Sequence, residues 1–340
     1  MCFRRHRRRA AASPVPPRPA PVANPGGPQQ PFIRFLDEPE PRPAFVAAPS
    51  PPPPPPVAPG KRKREFPIGT IAFLTVVGVG LAMHKAGAWN RERIGIADEV
   101  AKSIAVSANP TIVVDTFNGP IEVSRGSFGR VDCIVTRQGA GPDETTAERD
   151  LQNVGVAILH DGENTVNITA QRLRPESGVQ AAVRLRVPEG AILALRTRHG
   201  AISVRGTDGP VTARTQRGAI RVEDAGGPLL LTTADGPISC EADEAVVSAE
   251  TGHGPIRFRG TLAPGRSTLR AEHGDVTVHL PESQGFRLDA RVDHGKIDSG
   301  FPLRDQDERR HHLSGVAGDD PRSTLKIRAN HGDARIMEED

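Results

Sequence analysis

The chain has 340 residues, 36% of them hydrophobic and 25% charged, with a formal net charge of +3. Residues 1–65 hold 12 Lys/Arg against 4 Asp/Glu, and 20 of the 33 prolines fall in residues 1–67, so the basic excess belongs to the N-terminal tail and the rest of the chain is net acidic. This excludes a basic nucleic-acid-binding domain, and three cysteines (Cys2, Cys133, Cys240) are too few for a disulfide-built scaffold.

Residues 1–65 are expected to be a disordered, basic, Pro-rich cytoplasmic tail. The arginines at 4, 5, 7, 8 and 9 and the run Pro51 to Pro56 cannot bury enough apolar surface to offset the entropy of ordering, and the local preference is polyproline II. Phe32-Ile33-Arg34-Phe35-Leu36 is its one apolar docking patch. Residues 66–83 carry no charge, and with the extension to Trp89 the run spans about 24 residues, enough for a transmembrane helix across about 30 Å of hydrocarbon. Lys61-Arg62-Lys63-Arg64 precedes it, so the positive-inside rule places the N-terminus in the cytoplasm. Trp89 suits an interfacial anchor. Ala86-Gly87-Ala88 resembles a signal-peptide cleavage site, but the long upstream tail and the polar His84-Lys85 pair favour an uncleaved anchor. Either reading puts residues beyond 90 outside the cytoplasm, tethered at the inner (cytoplasmic) membrane by a single span.

Residues 90–109 have weak helical spacing and are expected to be a stalk or linker. The β-strand-repeat domain is expected over 110–340, with strand signals from Ile112 and a short helix over Asp143 to Asn153. A β-hairpin is expected from Val154–His160 and Thr165–Ala170, and a strand over Val179–Val187. Residues 301–322 are expected to be a looped insertion.

From residue 199 a nine-residue period takes over. Its second position is Gly200, Gly209, Gly218, Gly227, Gly236 and Gly254, with Ala245 the exception. Its fourth and sixth positions are Ile202/Val204, Val211/Ala213, Ile220/Val222, Leu229/Leu231, Ile238/Cys240, Val247/Ala249 and Ile256/Phe258. All are apolar, and the residue between them is usually polar, which is the alternation of a half-buried strand. Each unit is therefore one short strand plus a glycine corner. Two units, roughly 18 residues, make one coil, and stacked coils bury a continuous apolar column that no single repeat could bury alone. The predicted fold class is all-β, a β-solenoid-like stack of short strands. Later copies follow at His273-Gly274, His294-Gly295 and His331-Gly332.

This pattern, with the earlier copy Asn118-Gly119-Pro120-Ile121-Glu122-Val123 and the lead-in Val187-Pro188-Glu189-Gly190, resembles the bacterial putative-adhesin family of β-strand-repeat domains over about residues 110–338. The resemblance implies a solenoid-like all-β fold and an envelope location. It carries no catalytic motif.

Five histidines, His199, His253, His273, His294 and His331, each precede a repeat glycine. In-register coils would place several of them along one edge, where imidazoles could hold a transition metal or charge together. The same slot takes Asn118, Asp208, Asp235 and Arg217, which favours plain corner chemistry. Calcium binding by nonapeptide repeats requires an aspartate at the sixth position, where this chain has Val204, Ala213, Val222, Leu231, Cys240, Ala249 and Phe258. A polysaccharide-acting β-helix enzyme would need grouped carboxylates. Here Glu223, Asp224, Glu241, Asp243, Glu244 and Glu250 are scattered, and the domain has no Tyr or Trp to stack on a sugar. No catalytic, cofactor or metal residue is therefore assigned.

The expected function is non-enzymatic: a tethered β-repeat protein that binds an envelope protein or polymer, or acts in adhesion. Outward arginines (Arg205, Arg214, Arg221, Arg257, Arg259) would suit polar or anionic partners. The alternative is a transmembrane sensor or scaffold that signals through the Pro-rich tail, and a polysaccharide-acting enzyme ranks below both.

Overall fold

The structure is a computed structural model that describes residues 93–162, 164–174 and 178–339. The expected tail (1–65) and span (66–89) lie outside the described residues. No helix among the described residues is long and apolar enough to cross a membrane.

The described chain is a mixed β-sheet with one short helix. In chain order the elements are β1 (Ile94–Ala105), β2 (Thr111–Asn118), β3 (Ile121–Arg125), β4 (Arg130–Gly141), α1 (Glu144–Leu151), β5 (Val154–His160), β6 (Thr165–Arg172), β7 (Val179–Val187), β8 (Ile192–His199), β9 (Ile202–Thr207), β10 (Val211–Arg217), β11 (Ile220–Asp235), β12 (Ile238–His253), β13 (Ile256–Leu262), β14 (Gly265–His273), β15 (Val276–Pro281), β16 (Phe286–His294), β17 (Ile297–Ser299), β18 (Arg304–Arg309), β19 (His312–Ala317), β20 (Ser323–His331) and β21 (Ala334–Glu339). The expected helix, hairpin and strand before residue 190 all form. Asp143 caps α1, its side chain accepting from the Thr146 backbone N–H at 2.7 Å, and that bond holds the Asp143 carboxyl below the usual carboxylate range.

The strands assemble into two ladders. The first ladder runs β6, β2, β8, β10, the second half of β11, the second half of β12, β14, β20, β16, all parallel. The second runs β7, β3, β9, the first half of β11, the first half of β12, β13, β15, β21, β17, also parallel. In the middle, Leu193 pairs with Val211, Val211 with Leu229 and Leu229 with Val247, a step of 18 residues. That is the expected two-unit coil. The alternating apolar residues of both ladders join one buried core that extends from Ile112 and Ile121 to Leu325 and Ile336.

The corner between the ladders is built on glycine. Gly119, Gly200, Gly218, Gly236, Gly254, Gly274, Gly332 and Gly295 all have φ between 132° and 155°, a range side chains avoid. In the stack, the N–H of Gly218 donates to the Asp235 carbonyl at 2.9 Å, and that of Gly236 to His253 at 2.7 Å. A Cβ on Gly218 would sit 2.1 Å from the Gly200 carbonyl oxygen. A second ladder lies just inside this corner. The buried hydroxyls of Thr197, Thr215, Thr233 and Thr251 donate to the carbonyls of Gly119, Gly200, Gly218 and Gly236 at 3.0–3.2 Å. Each threonine thereby pairs its own buried hydroxyl with a corner carbonyl.

Coil order departs from chain order at both ends. The coil formed by β2 and β3 lies between the later β6–β7 coil and the β8–β9 coil. The C-terminal coil, β20–β21, is inserted between β14–β15 and β16–β17. Two expectations need correction here. The stretch expected to be a stalk at 90–109 is largely β1, paired antiparallel with β4 over its whole length; it escapes the alternation pattern because Ile104 is its one buried residue. The expected loop at 301–322 holds the antiparallel β18–β19 hairpin, and it contributes Phe301, whose ring meets Phe286 edge-on at 5.0 Å.

These added elements close the column ends, where bare parallel edges would invite pairing with another chain. At one end, Lys102 Nζ donates to the Ile158 carbonyl on the outer edge of β5 at 3.0 Å. α1 lies against Gly139 and Gly141 of β4, where a Cβ would strike helix backbone or Thr146. At the other end, β18 carries six exposed polar or charged residues.

Two substitutions test the corner. Gly218→Ala is expected to cost at least ~2 kcal/mol, because both the positive φ and the carbonyl contact oppose it. Thr233→Val, which removes the hydroxyl's hydrogen bond to the Gly218 carbonyl, is expected to cost ~1 kcal/mol. Urea unfolding of each variant against the parent chain measures both. Deleting residues 321–340 removes a coil from inside the stack, and circular dichroism is expected to show loss of cooperative unfolding rather than a small shift.

Candidate functional site

The histidines expected along one edge are brought together in part. Spatial order along the corner is Asn118, His199, Arg217, Asp235, His253, His273, His331, His294. Arg217 and Asp235 separate His199 from the other four. The four stack face to face: His253 on His273 at 4.9 Å, His273 on His331 at 4.8 Å, and His331 on His294 at 4.6 Å, with interplanar angles of 4–12°. Asp235 ends the stack, with Oδ1 3.0 Å from His253 Nδ1.

The stack does not present a metal cage. Parallel rings nearly 5 Å apart aim their nitrogens side by side, whereas an ion needs donors converging at about 2.1 Å. Among the described residues no group of three or more His, Cys, Asp or Glu is placed to hold an ion.

The outward arginines named from sequence differ in setting. Arg205 is paired with Glu223, which Arg221 also approaches at 3.7 Å, and Arg259 is paired with Glu339. These lie on the outer face of the second ladder, where Arg205–Glu223 joins adjacent strands and Arg259–Glu339 reaches across β15. Such exposed pairs contribute little stability each. Arg257 makes no ion pair among the described residues.

Arg214 has a different setting. It lies half-buried on the outer face of the first ladder, in the wall of a cleft of about 300 Å³. Its rung is read directly from the register: Asp115, Arg196, Arg214, Thr232, Glu250, Arg270, Arg328 and Arg291 stand side by side on consecutive strands. The next outward rung, in the same register, carries Arg198, Gln216, Ala234, Gly252 and Glu272. Three guanidinium groups therefore form one wall of the cleft, small residues (Thr232, Ala234, Gly252) form its floor, and Glu250 and Glu272 form the opposite wall. Arg270 bridges the two glutamates loosely, at 3.7 and 3.8 Å. Neither Arg196 nor Arg198 has an ion pair or side-chain hydrogen bond among the described residues.

Single-sequence reasoning missed Arg196, Arg198 and Glu272 as partners of Arg214. Arg196 and Arg198 precede the first repeat unit and Glu272 follows the last, so no unit contains the cleft. The usable signal is the 18-residue step, which carries Arg196 to Arg214 and Thr232 to Glu250.

The cysteines expected to be buried free thiols are free and buried. Burial pushes the thiols of Cys133 and Cys240 up to about 12, so both remain protonated and unreactive far above neutral pH. Iodoacetamide at pH 8 is therefore expected to modify neither in the folded protein and both after denaturation; mass spectrometry of the two peptides decides it.

Residues 189–337 match the family model described as Toastrack DUF4097. The match covers the coils from β8 onward, the corner glycines other than Gly119, and the cleft. Among solved structures, a putative cell adhesion protein from Clostridium sporogenes aligns at 13% identity, covering 71% of this chain and 100% of that one, with a TM-score of 0.34. A putative adhesin from Bacteroides fragilis aligns at 11% identity, over 71% of this chain and 97% of its own, with a TM-score of 0.33. No curated protein matches the sequence.

Proposed function

We propose that this chain is a non-enzymatic binding protein of the adhesion type, tethered by a single span at the inner membrane. Its solenoid-like domain, outside the cytoplasm, engages an envelope protein or polymer. The observation that carries the reading is the cleft on the outer face of the first ladder. It is a preformed concavity on a rigid hydrogen-bonded scaffold, lined by charges of both signs and by small residues. Binding surfaces on solenoids are of this kind, because stacked coils hold outward side chains at fixed spacing. The tether rests on the uncharged run at 66–83, extended to Trp89, behind Lys61-Arg62-Lys63-Arg64.

The test is capture. The full chain, immobilised in non-ionic detergent, is incubated with solubilised envelope proteins and glycans. Specific retention is expected, weakened by about 0.5 M salt because exposed charges are then screened. Retention no greater than on a heat-denatured control would sink the proposal. For the tether, protease added to spheroplasts is expected to digest the β domain and spare the tail; sparing of both refutes the orientation.

A further inference from the structure

We propose that the cleft between Arg196 and Glu272 is a binding site for a phosphate–ammonium zwitterion, the chemistry of a phosphoethanolamine group. This rests on the binding-protein reading above and specifies the ligand its cleft takes.

The argument begins with charge placement. Arg196 and Arg214 are in-register neighbours on adjacent parallel strands, so their backbones are about 4.8 Å apart. Arg198 lies two residues along the same strand, on the same face. All three line the cleft. A guanidinium offers planar paired donors that match the oxygens of a phosphate, and three around one concavity favour a multiply charged tetrahedral oxyanion over a single carboxylate. Arg196 and Arg198 have no partner of opposite charge among the described residues, so an incoming phosphate would not have to displace an existing ion pair from either.

The opposite wall gives the specificity. Glu250 is two strands from Arg214, with Thr232 between them, a backbone separation of roughly 10 Å. The cleft of about 300 Å³ between these walls has room for a short zwitterion. On this side the charged residues that line the cleft are Glu250 and Glu272, while Arg270, which approaches both, is not among the lining residues. A free inorganic phosphate would satisfy one wall and be repelled by the other. A phosphate bearing a cationic amine a few atoms away satisfies both. The floor residues Thr232, Ala234 and Gly252 are small enough to admit such a group. The domain has no Tyr or Trp, so no aromatic box competes as a site for the cation.

The experiment uses the full chain in non-ionic detergent, with binding followed by calorimetry. O-phosphoethanolamine is titrated beside inorganic phosphate and ethanolamine as half-ligands. Phosphoethanolamine is expected to bind about tenfold tighter than either half-ligand. Arg196→Gln with Arg214→Gln is expected to abolish its binding. Glu250→Gln with Glu272→Gln is expected to reduce it to the level of inorganic phosphate while leaving inorganic phosphate binding no weaker. Unchanged thermal midpoints establish that both variants fold, and the glutamate pair, on the rim, keeps the test decisive if the arginine pair does not fold. Equal affinity for inorganic phosphate, no effect of the glutamate pair, or no binding overturns the proposal. Phosphatidylethanolamine vesicles and a soluble phosphoethanolamine-bearing glycan then identify the source: retention of vesicles assigns a lipid headgroup, and retention of the glycan alone assigns a polymer. Envelope capture that survives both double variants would leave the binding function standing and refute this site.

Discussion

The glycine corner is the constraint on which the rest of the domain depends. Eight glycines with φ of 132° to 155° lie one above another, and each N–H from Gly119 to Gly332 donates to the carbonyl before the next glycine at 2.7–3.0 Å. A Cβ at any of them would fall 2.1–2.4 Å from a neighbouring backbone oxygen. The column therefore tolerates no side chain and no slip. A one-residue slip in any strand would turn its core residues outward. Because the corner forbids that slip, Ile202, Ile220, Ile238, Ile256 and Val276 all meet on the inner face.

The corner also explains how outward residues acquire meaning. In a sheet with loose register, an arginine on one strand has no fixed neighbour. Here each outward position repeats at the strand spacing, so rungs form: four stacked imidazoles on the corner edge, Arg–Glu pairs on one outer face, and a cleft with opposed charges on the other. The threonine ladder ties the same corner to the core. It runs from Thr197 to Thr251 and is replaced by Ala271, Val292 and Ala329 in the last three coils, the coils that bear His273, His294 and His331.

Parallel coils leave both ends of the column open, and the chain closes them with antiparallel pieces. β1 and β4 flank one end under α1, with Lys102 donating to an edge carbonyl of β5, and the charged β18 flanks the other. Inserting the C-terminal coil between two earlier ones places the last strands in the interior. The chain end is thereby held on both sides, and β16–β19 becomes the cap.

Much of this was written locally. The alternation of Ile202 with Val204, or Leu229 with Leu231, encodes a strand with one buried face, and the glycine two residues ahead encodes the corner, because both depend on near neighbours in the chain. From these follow the 18-residue coil, the single apolar core, the buried thiols and the prospect of a histidine edge. What only the tertiary structure decided is which coil neighbours which. The edges of successive coils are chemically alike, so their order at the two ends depends on long-range pairing and on the capping elements available. That choice put His331 between His273 and His294, set His199 apart behind Arg217 and Asp235, and drew β1 into the sheet despite its weak pattern. It also fixed the capping hairpin, while the cleft arose from the sideways register of five strands, Arg196 to Glu272, whose members are separated by whole coils of sequence.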